Sequence, residues 1–356
     1  MENSAYIILL LVCFFLLGIH CNNKNIIIKK LCRLTLTLIL IAFSGFRYYV
    51  GRDYQNYIWL HERIIQLGFS DCEVGHYLVV RLVDFIGGTA QLVFLFYATI
   101  TVLFISKFIN DNSESIELSW VLFICLGPFY LATMNTMRQW LAISLFLYST
   151  KFIQKRRFKK YFLINIVGVL FHTSTLIVIP LYFWLAKEKK QLFSGLMVGV
   201  GIFALDKIGI IGYIAKLIGY GAYLQSTRQE SVDLSYYVFI FLFVLYVFSV
   251  HFLMPKESSN ATKSYLMYNM SVVSVVCIVL LLMSSTISNI VWARVNSFFL
   301  PIYLLIIPDT VKNMRTTVST KLFMKFVFAG GSVIYFIYLT LSSQDLTPYT
   351  MNFLIF

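Results

Sequence analysis

Apolar runs long enough to cross a lipid bilayer recur along the whole chain, and short cationic bursts separate them. A hydrocarbon core about 30 Å thick takes roughly 20 helical residues, or about 17 at minimum. The candidate stretches are 4–20, 33–47, 90–107, 118–135, 138–153, 191–206, 234–254, 265–285, 290–308 and 321–342. Backbone groups in lipid must be satisfied within their own segment, so each run is expected as a helix. Composition agrees. Hydrophobic residues make up 59% of the chain and charged ones 13%, whereas soluble domains carry roughly 25% charge. The expected fold class is an all-α polytopic integral membrane protein with about 10–12 transmembrane helices and short outer-face interfacial helices. A single membrane-embedded domain over residues 1–356 is the simplest organisation, because no repeat, linker or low-complexity tract interrupts it.

The stretch 161–186 lies between the basic clusters Lys155–Lys160 and Lys187–Lys190. With both clusters on one side of the membrane, it must enter and return. Two short helices meeting near His172 are expected, with Pro180 in a broken second half. Starting with the N-terminus outside, 20 of the 29 Lys and Arg residues fall in inner loops, where lysine predominates. Seven of the nine outer cations are arginines: Arg47, Arg52, Arg63, Arg81, Arg138, Arg228 and Arg294. This spacing sets orientation and does not make a phosphate-tracking groove, so no nucleic-acid partner is expected despite the net charge of +13.

The six cysteines form no C-x-x-C, and Cys13, Cys125 and Cys277 sit inside apolar runs as packing residues. The run Ser4–Ile19 lacks a basic leader and a small-residue cleavage site, so it is expected as a retained span. Two outer stretches are long enough for structure of their own. Arg47 to about Gly88 is expected to contain a short helix, Tyr77–Ile86, and Ile208–Leu224 an interfacial helix.

Polar clusters gather on the outer side: Arg47–Tyr54, Glu73–Tyr77, Met137-Arg138-Gln139, His172-Thr173-Ser174 and Arg294. An arginine at interface depth is costly unless it meets an anion. Its guanidinium is a rigid fork that grips phosphate oxygens two at a time. Arg47, Arg52, Arg138 and Arg294 are therefore candidates for holding a diphosphate without a metal ion. The plain alternative is that they reach lipid headgroups or pair with Asp53, Glu73 and Asp84. Likewise His172 suits an interhelical hydrogen bond, Asp53 a loop cap, and the tyrosines an aromatic belt.

Five motifs then fall in order: Arg47-x-x-Val50-Gly51-x-Asp53-Tyr54-x-x-Tyr57, Glu73-x-Gly75-x-Tyr77, Met137-Arg138-Gln139-x-x-Ala142, Phe171-His172-x-Ser174 and Pro348-Tyr349. Together they resemble the EpsG family of Wzy-type bacterial polysaccharide polymerases. The first motif departs slightly, with Tyr49 where the family often has Asn. The resemblance implies a GT-C-like, metal-independent glycosyltransferase without cofactor. It would be located in the bacterial cytoplasmic membrane with its site facing the periplasm. It also implies undecaprenyl-diphosphate-linked oligosaccharide and polysaccharide as substrates, membrane lipids as surroundings, and a chain-length regulator as partner.

The growing glycan would pass to the non-reducing end of a new lipid-linked unit. On this reading Arg138 stabilises the leaving diphosphate with Arg47, Arg52 and Arg294, and Asp53 or His172 accepts the proton of the acceptor hydroxyl. Tyr54, Glu73, Tyr77, Gln139, Arg228 and Tyr349 are the expected substrate-binding positions. Two other classes stay open: a flippase or ion-coupled carrier, and an O-antigen ligase or membrane acyltransferase. A carrier commonly shows repeated halves with charge near the midplane, neither of which this chain displays.

Overall fold

Lipid offers no hydrogen-bond partner to a bare backbone, and the regular structure is almost wholly helical. The computed structural model describes residues 4–68, 72–215, 234–253, 261–283, 286–343 and 345–356. In order come α1 (Ser4–Asn22), α2 (Ile26–Gly45), β1 (Arg47–Tyr48), α3 (Tyr54–Leu67), α4 (Val74–Phe85), α5 (Ala90–Asn112), α6 (Ile116–Cys125), α7 (Tyr130–Asn135), α8 (Met137–Gln154) and α9 (Phe158–Phe171). A 3-10 turn, Thr173–Ile177, leads to α10 (Val178–Leu185), α11 (Leu192–Lys207) and α12 (Ile210–Ala215). The helices Leu234–Leu253, Ala261–Met283, Thr286–Phe299, Tyr303–Asn313 and Val318–Ser342 follow, and β2 (Thr350–Met351) pairs antiparallel with β1.

Among the described residues, five segments are long and apolar enough to span: Ser4–Asn22, Ala90–Asn112, Lys263–Met283, Val291–Asn313 and Val318–Ser342. The chain is thus an all-α polytopic membrane protein. In α1, the residues Tyr6, Leu9, Leu10, Cys13, Leu17 and His20 are buried at helical spacing, while Ile7, Ile8, Leu11 and Phe15 stay exposed on the other side. An exposed apolar face is stable when acyl chains cover it.

The described residues pack as two compact units. Those within Met1–Lys151, Phe158–Ile179 and Thr317–Phe356 form the first, and those within Phe152–Arg157 and Pro180–Thr316 the second. In the first unit, Tyr54, Tyr57, Ile64, Val80, Phe94, Tyr97, Met137 and Leu141 draw α3, α4, α5 and α8 around a shared apolar core. The second unit is tied by Asn269, whose side chain accepts from the Gln191 amide at 3.0 Å and donates to the carbonyls of Lys187 and Lys189 at 3.3 Å.

The expected break near His172 is present. The residue has extended backbone (φ −158°, ψ 116°) between α9 and the 3-10 turn. One expected single span is interrupted instead. The run 118–135 divides into α6 and α7 around Gly127-Pro128, because proline lacks the amide donor and its ring displaces the preceding turn. The run 290–308 falls within the spanning segment Val291–Asn313, which tightens to a 3-10 turn at Leu300–Ile302 around Pro301. In the outer stretch, α4 matches the expected helix and carries the exposed ion pair of Arg81 and Asp84 at 3.2 Å. Helix α3 was not expected there. Of the proposed interfacial segment Ile208–Leu224, residues 208–215, with α12, are described; residues 216–224 lie outside the described residues.

Candidate active site

The first unit brings three separate segments to one carboxylate. Gly75, in the first turn of α4, makes this approach feasible. A Cβ there would stand 2.7 Å from the Leu170 carbonyl oxygen and 2.9 Å from its carbon, both backbone atoms at the end of α9. With glycine, α4 presses its N-terminus onto the end of α9 and places Glu73 beside His172. One carboxylate oxygen of Glu73 pairs with Nη1 of Arg138, and the other lies 3.1 Å from His172 Nδ1.

A carboxylate only accepts, so Nδ1 of His172 carries the proton in this contact, and whenever the ring is neutral its lone pair is on Nε2. The break around His172 is itself closed by hydrogen bonds. Its amide donates to the Gly168 carbonyl at 2.9 Å, and its own carbonyl accepts from Thr175 Oγ1 at 2.7 Å and from the Thr175 amide at 3.1 Å.

Burial acts to raise the pKa of Glu73, but the His172 hydrogen bond and the charges of Arg138 and His172 outweigh it and hold the carboxyl at about 2. Glu73 is therefore an anion across the physiological range. Next to it, His76 of α4 is buried, with Nδ1 2.9 Å from the Tyr97 hydroxyl. Burial and the nearby Arg138 charge push His76 down to about 3, so it stays neutral. The Tyr57 ring lies 5.7 Å from the Arg138 guanidinium and completes the surround.

Arg138 is fixed by the turn that precedes it, and the first motif holds that turn. Arg47 is 1% exposed. Its Nη2 donates to the Met134 carbonyl at 2.8 Å, Nη1 to the Ser44 carbonyl at 2.5 Å, and Nε to the Val50 carbonyl at 3.1 Å. Ser44 and Met134 lie in the last turns of α2 and α7, whose carbonyls lack partners within the helix. The guanidinium also faces the Phe94 ring at 4.8 Å. Gly51 (φ +100°) passes so close to Asn135 that a Cβ would fall 2.9 Å from its Oδ1, and the same oxygen accepts the Arg52 amide at 2.8 Å.

Arg47 thus has a different occupation from the one expected of it. It joins helix ends in the interior instead of facing an anion. Arg47→Ala is expected to leave buried carbonyls unpaired and to destabilise the protein by about 3 kcal/mol or more. Melting of the purified variant in detergent measures this, and Arg138→Ala, which breaks one partly buried ion pair, is expected to melt between Arg47→Ala and wild type.

The other expected residues are placed variously. Arg52 is exposed, and Asp53 is half-buried at the N-cap of α3 without capping it through its side chain. Tyr54 is buried and stacked on Phe94 at 4.6 Å, and Tyr349 stacks on Phe43 at 4.0 Å while its hydroxyl donates to the Phe43 carbonyl. Both act in packing. Gln139 is buried and Tyr77 half-buried. Arg294 is half-buried on the helix Thr286–Phe299, within the second unit. Arg228 lies outside the described residues. The sequence offers Glu73 both as a substrate contact and as a carboxylate partner of an outer arginine, and the pairing with Arg138 is the second of these; it assigns no role to His76, Tyr57 or Tyr97. Tyr57 belongs to the first motif and His76 sits inside the second, and that was the available signal.

Neither a curated protein nor a solved structure matches the chain. The sequence pattern of the EpsG family matches residues 30–351, nearly its whole length. The chain with this Glu73-centred site therefore belongs to the EpsG family of membrane proteins, which are like the Wzy-type glycan polymerases.

Proposed function

We propose that this protein is a bacterial polysaccharide polymerase, of the O-antigen or capsule and exopolysaccharide type, in the cytoplasmic membrane with its site facing outward. It transfers the growing glycan from undecaprenyl diphosphate to the non-reducing end of a new undecaprenyl-diphosphate-linked unit. The observation that carries this reading is the Glu73 carboxylate, shared between Arg138 and His172 from distant parts of the chain.

The acceptor hydroxyl gives its proton to Nε2 of His172 as its oxygen bonds to the anomeric carbon of the donor glycan. The bond from that carbon to the diphosphate oxygen breaks, and undecaprenyl diphosphate leaves with the electron pair. Glu73 holds the imidazole in the required tautomer and stabilises the imidazolium that forms. Arg138 offsets the charge that grows on the diphosphate. Arginine is too basic to act as the proton acceptor, and the pairing with Glu73 favours His172 over Asp53 for that role. Arg47 contributes by fixing the turn that carries Arg138.

The test uses the purified protein in lipid nanodiscs with lipid-linked repeat units extracted from a polymerase-deleted strain of the source organism. Wild type is expected to form a ladder of longer glycans on a gel. His172→Ala and Arg138→Ala are expected to lose at least 100-fold in rate. Movement of the unit across vesicles without bond formation would instead mark a carrier, and transfer only to a lipid A-core acceptor would mark a ligase.

A further inference from the structure

Between Arg47 and Gly51 stand two tyrosines that no role above uses. Tyr48 and Tyr49 are 39% and 59% exposed, and their rings meet edge to face at 4.4 Å. Tyr49 has φ +55°. That left-handed region crowds Cβ against the backbone, and glycine, asparagine and aspartate occupy it far more readily than a bulky aromatic residue.

The conformation is imposed from both sides. Arg47 and Tyr48 pair with Met351 and Thr350, and Thr350 Oγ1 donates to the Tyr48 carbonyl at 2.5 Å. The Gly51 amide donates to the Asp345 carbonyl at 2.8 Å. Below, the buried Tyr54 supports the Tyr49 ring at 5.4 Å between centroids. An exposed ring adds little to the core, so packing does not account for a large residue at a strained position. A tyrosine in an aromatic belt explains exposure but needs no such fixed backbone. The same loop runs through Arg52 to its contact with Asn135, three residues before Arg138.

We propose that Tyr48 and Tyr49 form a sugar-stacking platform that takes a pyranose ring of the lipid-linked glycan beside the Glu73–Arg138–His172 site. The negative face of an aromatic ring attracts the polarised C–H groups on one face of a pyranose. The rigid loop presents that face with little left to order on binding. This inference rests on the polymerase reading.

The experiment compares Tyr49→Trp, Tyr49→Leu and Tyr49→Asn in the nanodisc assay, with the extracted repeat unit as the varied substrate. Tryptophan is expected to keep KM within about 3-fold of wild type. Leucine, which keeps an apolar anchor without a ring, and asparagine, which relaxes the turn, are expected to raise KM about 10-fold with kcat nearly unchanged. The asparagine variant is also expected to melt no lower than wild type. Leucine or asparagine variants with wild-type KM, or with a loss confined to kcat, would overturn the platform. A wild-type protein that forms no polymer at all would instead overturn the polymerase reading.

Discussion

Glu73→Gln is expected to cut polymer formation about 100- to 1,000-fold, more than any other single-atom-scale change in the protein. Glutamine keeps the size of the side chain but removes the charge that pairs with Arg138 and holds the proton on Nδ1 of His172. The ring is then at liberty to take the other tautomer, in which its lone pair points at residue 73 and Nε2 already holds a proton. Arg138 simultaneously loses the anion that orients its fork.

Because one carboxylate does both jobs, Glu73→Gln and His172→Gln should not add. Initial rates with saturating lipid-linked unit are expected to show the double variant close to the slower single variant. Independent, multiplicative losses would show that the two side chains do not act together. The pH dependence follows from the same contact. Glu73 is held at about 2 against an ordinary 4.5, so its stabilising charge is complete above about pH 4.5 and is lost as pH falls through about 2. A decline in rate between pH 7 and 5 therefore belongs to another group.

Gly75→Val is expected to be nearly as damaging through a different cause. Its Cβ would collide with the Leu170 carbonyl, and Phe171 Cδ1 stands at 3.1 Å on the same side. Backbone does not rotate out of the way as a long side chain does, so the start of α4 must lift from the end of α9. That displacement carries Glu73 away from His172. A loss of about 1–3 kcal/mol in stability is expected from the overpacking, with activity reduced about 100-fold because catalytic geometry tolerates so little error. Melting in detergent and the ladder assay measure the two effects separately. Gly75→Ala meets the same carbonyl at the same Cβ and is expected to fall in the same direction, by less where the helix yields.

Much of the fold was legible because lipid imposes one rule everywhere. Long apolar runs became helices, and the 26-residue stretch between two basic clusters breaks at His172. The missed features are local. Gly127-Pro128 was a visible proline signal inside an apolar run, and the hydropathy of the run concealed it. Helix α3 is amphipathic and packs its tyrosines and Ile64 inward, a pattern without the length of a span.

At the site, the motif residues did converge, but their roles were only partly readable. An arginine that joins buried carbonyls and one that faces an anion look alike in sequence, and Arg47 and Arg138 became distinguishable through burial and partners. Glu73 lies 65 residues from Arg138 and 99 from His172, so only the folded chain shows one carboxylate serving both.

On the proposed mechanism, the shared Glu73, Arg138 and His172 cluster receives the lipid diphosphate. An experimental structure of the protein in nanodiscs with undecaprenyl diphosphate bound tests it directly. Phosphate oxygens are expected within hydrogen-bond reach of Arg138, with Glu73 still bound to His172. A diphosphate seated elsewhere, with Arg138 turned to acyl chains or locked solely onto Glu73, would contradict it.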